Sequence, residues 1–140
     1  MPLLARSILL IALCIPVVDA AHAADFCISV SPPDTTKYVA KGFRIPRPGK
    51  CRPWHGIFLP SFDDVSVSTG TACTTSDGTT LRININTSRE GVTFNDYVVL
   101  PLPGLTGGTL SEIVPQFGDA PILIPGISAA KCAARENPIP

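Results

Sequence analysis

The sequence predicts an all-β fold: a small disulfide-stapled sandwich or partly open barrel, with at most one short C-terminal helix. Three observations carry that expectation. Fifteen prolines are spread through 140 residues, and each removes a backbone donor and clashes with the helical turn before it. Short runs of alternating apolar and polar residues are separated by clusters of Gly, Pro, Ser, Thr, Asn and Asp, the spacing of strands joined by turns. Once an N-terminal leader is set aside, Cys27, Cys51, Cys73 and Cys132 remain, and an even number of cysteines in a short exported chain implies two disulfides.

The leader is read from residues 1–23. Arg6 is the only charge before Asp19, and between them Ser7 to Val18 form an apolar stretch of 12 residues. That is too short to span a bilayer, which takes roughly 20 helical residues, and it suits a signal-peptide core. Ala21-His22-Ala23 supplies the small-x-small cleavage pattern. The competing readings are a buried N-terminal helix of a cytosolic protein and a lipoprotein anchored at Cys14; Leu13, which is not small, argues against the second. Residues 24–140 then form a single exported β domain, secreted or periplasmic, with no transmembrane span. The mature chain keeps equal numbers of basic and acidic side chains, and His55 is its one histidine.

The strands are placed in order. Phe26, Ile28 and Val30 alternate with Cys27, Ser29 and Ser31, and Pro32-Pro33-Asp34 ends the run. A weaker strand lies within Lys37–Ile45. Pro46 to Pro53 is too Pro-rich to pair centrally and reads as extended loop. Trp54–Leu59 is a short apolar run stopped by Pro60.

Val65–Thr87 reads as a hairpin turning at Ser76-Asp77-Gly78. Val65, Val67, Thr69, Thr71 and Cys73 share parity with Leu81, Ile83 and Ile85. A three-residue turn with Gly78 in a left-handed bulge places Cys73 opposite Leu81 and all the apolar residues on one face. A two-residue turn places Cys73 opposite Arg82 and splits them, so the bulged hairpin is expected. Its outward face then shows Ser66, Ser68, Thr74, Thr80, Arg82, Asn84 and Asn86.

After a turn at Ser88–Gly91, Val92–Leu100 is a strand with Val92, Phe94, Val98 and Leu100 on one face and Asp96 as the exception. Thr109–Val114 and Pro121–Ile124 are two last short strands. Ser128 to about Arg135 is the one helix expected, from its capping serine and its alanines. The tail from Asn137 to Pro140 is expected to fray. The cysteines allow three connectivities; we expect Cys27–Cys51 and Cys73–Cys132, the first pinning the Pro-rich segment to the first strand and the second fastening the tail to the hairpin.

No catalytic, metal-binding or nucleotide-binding motif stands in the chain. His55 lacks the local context of a nucleophile and an orienting acid. A metal site around one histidine needs carboxylates or free thiols, and the thiols are expected to be oxidised. Asp63 and Asp64 are adjacent, so on a strand they point to opposite faces; Glu90, Asp96, Glu112 and Asp119 are scattered. No cofactor and no metal are expected. Asn86-Thr87-Ser88 matches a glycosylation acceptor, which matters only in a eukaryotic secretory pathway.

Charge patterning is the most unusual feature. Residues 24–52 hold six basic side chains against two acids, a net charge of +4, and residues 53–140 hold four against eight, a net charge of −4. The expected reading is a non-enzymatic domain that binds an envelope or extracellular partner through the basic segment 37–54, with Lys41, Arg44, Arg47, Lys50, Arg52 and Trp54 as ligand-binding residues. Its partner would be an anionic envelope component such as lipopolysaccharide, a glycan or an acidic protein; nucleic acid is not expected of an exported, near-neutral chain. The bland alternative is a solvated loop folded back over the acidic sheet. The other readings are a small secreted hydrolase or enzyme inhibitor, the latter through a rigid Pro46–Pro53 loop, and a surface polymer assembled through unpaired strand edges.

Overall fold

The computed structural model describes residues 25–30, 35–61 and 64–132, with backbone alone at 60, 61, 64 and 65. The expected signal peptide, Asp63 and the C-terminal tail lie outside the described residues.

Eight antiparallel strands run in sequence order: β1 (Asp25–Val30), β2 (Thr35–Ala40), β3 (Cys51–Ser61), β4 (Asp64–Thr74), β5 (Thr80–Arg89), β6 (Val92–Pro101), β7 (Gly108–Ile113) and β8 (Ile122–Cys132). Each pairs with the next, and β8 pairs with β1 to close the barrel. The fold is the all-β, disulfide-stapled barrel the sequence predicts, closed rather than partly open. Among the described residues closure leaves no edge strand, so the barrel lends no support to assembly through unpaired strand edges.

The closing strand is longer than expected and replaces the expected helix. Residues 128–132 extend β8 and pair with Ser29 back to Asp25. The alanines favour a helix locally, but pairing with β1 overrides that preference. Residues beyond Cys132 lie outside the described set.

The disulfides join Cys27 to Cys132 and Cys51 to Cys73, not the expected partners. Cys51 stands directly opposite Cys73 in the β3–β4 ladder, with Cα atoms 4.0 Å apart. Cys27 and Cys132 lie on the neighbouring strands β1 and β8, with Cα atoms 5.8 Å apart. Both bonds therefore link adjacent strands, within reach of ordinary disulfide geometry, and one of them bolts the closing seam.

The hairpin register also differs from expectation. Cys73 faces Arg82, Ala72 faces Ile83 and Gly70 faces Ile85. Inward positions of β4 are therefore Ser68, Gly70, Ala72 and Thr74; Ser68 and Thr74, expected outside, are buried, whereas Arg82, Asn84 and Asn86 are exposed as expected. Two physical reasons appear. Asp77 accepts hydrogen bonds from Thr75 Oγ1 at 2.7 Å, Thr79 Oγ1 at 2.8 Å and Thr79 N at 3.1 Å. These draw Ser76–Thr79 into a four-residue loop, closed by Thr75 N donating to Thr80 O at 2.9 Å. Inside the barrel, Trp54 of β3 faces Gly70 and fills the space that small residues on β4 leave. Small barrels are filled by alternating large and small side chains, so an inward face need not be apolar on every strand.

The main core comprises Phe26, Ile28, Tyr38, Trp54, Phe58, Leu81, Ile83, Ile85, Val98, Leu100, Leu110 and Ile127 with smaller neighbours. A second apolar row lies outside, where Cys27, Val39 and Ile57 align across β1, β2 and β3 with Leu59 and Cys132 against them.

Candidate functional site

The strand order places the 41–50, 75–79 and 102–107 connections at one end of the barrel and the 90–91 and 114–121 connections at the other. Each end carries a group of charged residues, built in different ways.

At the first end the 41–50 loop folds over the mouth. Phe43 roots it, its ring 5.1 Å from Phe26 and 5.3 Å from Trp54 between centroids. Pro46 is buried, and its carbonyl accepts from Thr74 Oγ1 at 2.7 Å. Lys50 N donates to Arg47 O at 2.9 Å, Gly49 N to Thr74 O at 3.0 Å, and Thr74 N to Lys50 O at 3.0 Å. The Cys51–Cys73 bond fastens the foot of the loop. A Pro-rich segment, poor at pairing centrally, is thereby held against the hairpin tip.

Lys41, Arg44, Arg47, Lys50 and Arg52 are all exposed on this loop and its first strand residues. Among the described residues none of the five forms a salt bridge; the two ion pairs found there both belong to Lys37. Trp54, the sixth residue expected at the surface, is 1% exposed and lies inside the barrel. Its Nε1–H donates to Ser68 Oγ at 3.2 Å. It supports the loop through Phe43 and is not available to a ligand on the rim.

At the other end the barrel interior is polar. The β1–β2 register shifts between Ile28, opposite Tyr38, and Ser29, opposite Thr36, leaving Lys37 unpaired in a bulge. Bulges re-aim side chains, and Lys37 Nζ reaches Glu112 Oε2 at 3.1 Å and Asp96 Oδ2 at 4.0 Å. Asp96 and Glu112 stand opposite each other on β6 and β7. Tyr38 donates its hydroxyl to Asp96 Oδ2. Lys37 also lies over the Phe58 ring, 5.6 Å from its centroid, and Phe58 packs against Phe94.

Burial, then the hydrogen bond to Glu112, pushes the Asp96 carboxyl up to about 7, against the partial relief of the Tyr38 hydroxyl and the Lys37 charge. Burial, followed by the Asp96 charge, pushes the Tyr38 phenol above its usual range. This cluster escaped sequence reasoning, although a signal existed: Asp96 interrupts the apolar face of β6, and an acid on an inward face demands partners. Lys37 is thus the one cation of the basic segment that folds back onto the acidic sheet.

His55 projects from the outer face of β3, exposed, with Thr69 opposite it. Among the described residues it makes no hydrogen bond or ion pair, and no group of three His, Cys, Asp or Glu side chains gathers to hold a metal ion. No described helix is long and apolar enough to cross a membrane. Comparison of the chain with protein families, curated proteins and solved structures gives no match.

Proposed function

We propose that the protein is an exported, non-enzymatic β-barrel that docks onto an anionic partner through the 41–52 rim. The two disulfides suit an oxidising compartment, and a leader over residues 1–23 would deliver the chain there, as a secreted or periplasmic protein. The observation that carries the reading is the contrast between cations. Lys37 is neutralised inside the fold, whereas Lys41, Arg44, Arg47, Lys50 and Arg52 stand exposed without an internal acid partner.

The anchoring of the loop supports the same reading. A surface already ordered before binding loses little conformational freedom on docking, and Arg side chains match sulfate, phosphate and carboxylate groups in fork geometry. The partner class is an anionic envelope component, an acidic glycan or an acidic protein surface.

Immobilised heparin is a suitable polyanionic probe. The wild-type protein is expected to be retained at low salt and released as salt screens the contact. The R44E/R47E/R52E variant is expected to flow through while melting at the wild-type temperature. Equal retention of the two proteins would refute the assignment.

A second reading has one observation in its favour: within the expected Pro46–Pro53 loop, residues 47–50 form an exposed turn held at its foot by Cys51, as inhibitor loops are. Titration of the protein against a panel of proteases separates it from the first, since a loop that serves only as an anion rim leaves every protease active.

A further inference from the structure

We propose that a second copy of this chain is a partner of the basic rim, docking through the opposite end of the barrel. The proposal rests on the reading of the 41–52 loop as an anion-docking surface and names an acidic surface that fits it.

The two poles of the barrel are complementary in charge. One presents the exposed cations Lys41, Arg44, Arg47, Lys50 and Arg52. The other presents Glu90, in the β5–β6 turn, and Asp119, in the β7–β8 connection, both exposed.

Both poles also expose apolar side chains beside their charges. At the acidic pole Phe117 is 82% exposed, Leu123 64% and Ile122 56%. At the basic pole Ile45 is 38% exposed between Arg44 and Arg47. Scattered single apolar residues need no explanation, but exposed apolar side chains beside charges at both ends of the barrel suit contact surfaces.

Phe117 is displayed on a fixed support. It ends a 3₁₀ turn at Pro115–Phe117, where its N–H donates to Val114 O at 2.9 Å. The neighbouring Gln116 clamps that turn to the β5–β6 hairpin: its Oε1 accepts from Thr93 N at 3.2 Å, and its Nε2 donates to Gly91 O at 3.2 Å. An exposed aromatic side chain on an anchored turn, at a pole that carries Glu90 and Asp119, suits a partner surface that offers apolar contact among cations. The opposite pole of the same protein has that composition.

The contact is heterologous, since it joins two different surfaces. Because those surfaces lie at opposite ends of one barrel, stacking does not close on itself and yields open chains. Opposite charge fixes the polarity, since like poles repel.

Sedimentation velocity on the exported protein, over a wide range of concentration and salt, tests this. The average mass is expected to rise with concentration towards two or more chains and to fall back to one chain as salt is added. F117S should weaken association. R44E/R47E/R52E makes the basic pole acidic, leaving Lys41 and Lys50 against three new glutamates, and E90K/D119K puts cations in place of the acids at the opposite pole, so each variant alone should stay monomeric. Mixed together, they should associate again, because each supplies the pole the other lacks.

A constant monomer mass at every concentration would overturn the proposal; retention of the same protein on heparin would then show that the anion-docking rim survives without it. Association unaffected by either charge reversal would also overturn it, by placing the contact elsewhere on the barrel.

Discussion

Trp54 stands directly opposite Gly70 across the β3–β4 ladder, with its indole inside the barrel. A Cβ added at Gly70 would collide with the carbonyl oxygen of Asn84 on the next strand. The glycine therefore allows β5 to close on β4 while the neighbouring strand supplies the volume. Gly70→Ala is expected to lower stability by about 1–3 kcal/mol, the usual range for overpacking, and to be read as a drop in Tm. An unchanged melt would show that the β4–β5 spacing is not set here.

Which features of the fold are legible from sequence depends on how local their causes are. The strand alternations of β1 and β6 depend on neighbouring residues, and they are read correctly; the Pro46–Pro53 loop is read correctly only as far as Lys50, because Cys51, Arg52 and Pro53 open β3 and pair with Cys73, Ala72 and Thr71. The inward face of β4 is not, because Ser68, Gly70 and Ala72 gain their meaning from Trp54 on another strand. The same holds for the disulfides, whose pairing follows from which strands are neighbours, and for residues 128–132, where a β1 partner overrides the helix preference of alanine. At the rim, the run of cations is visible in the sequence. The separation of Lys37 from the other five is not, because it depends on a bulge that sends Lys37 to Glu112, 75 residues away.

The two disulfides are expected to contribute unequally. In the chain-entropy account, closing the longer loop stabilises more, so removing Cys27–Cys132 costs about 5 kcal/mol and removing Cys51–Cys73 about 3 kcal/mol. Denaturant titration of C27A/C132A and C51A/C73A reads both losses. A non-reducing peptide map should recover the same two pairs, and recovery of Cys27 joined to Cys51 would contradict the barrel order.

The carboxylates should give stability two opposite pH dependences. Asp96 has its folded value raised from 3.8 to about 7, so the folded state binds the extra proton. Its contribution is full below the unfolded value and is lost as pH rises towards 7. Asp77 is lowered to about 2 by Thr75 and Thr79, so its contribution is present above the unfolded value and is lost as pH falls through 2. Asp96→Asn keeps an acceptor for Tyr38 and removes the titration. Its melts should vary less between pH 4 and pH 7 than those of the wild type, as followed by calorimetry. A slope equal to the wild type's would place the titration on another group.

Phe43 links the core to the rim. Its ring packs on Phe26 and Trp54, and it is only half-buried. Phe43→Ala is therefore expected to cost about 1–3 kcal/mol, less than full core truncation. Amide exchange should quicken across 41–50 and heparin retention should weaken, with every cation still in place. Retention at the wild-type level would show that anchoring the loop does not matter for binding.

The most direct test of the central claim is residue-by-residue mapping of where a polyanion touches the barrel. Titration of isotope-labelled protein with a sulfated oligosaccharide, followed by amide shifts, should perturb Lys41, Arg44, Arg47, Lys50 and Arg52 and leave Lys37 and the acidic pole undisturbed. Perturbations centred on Lys37, Glu112 and Asp96, or spread evenly over the outer sheet, would contradict a preorganised basic rim.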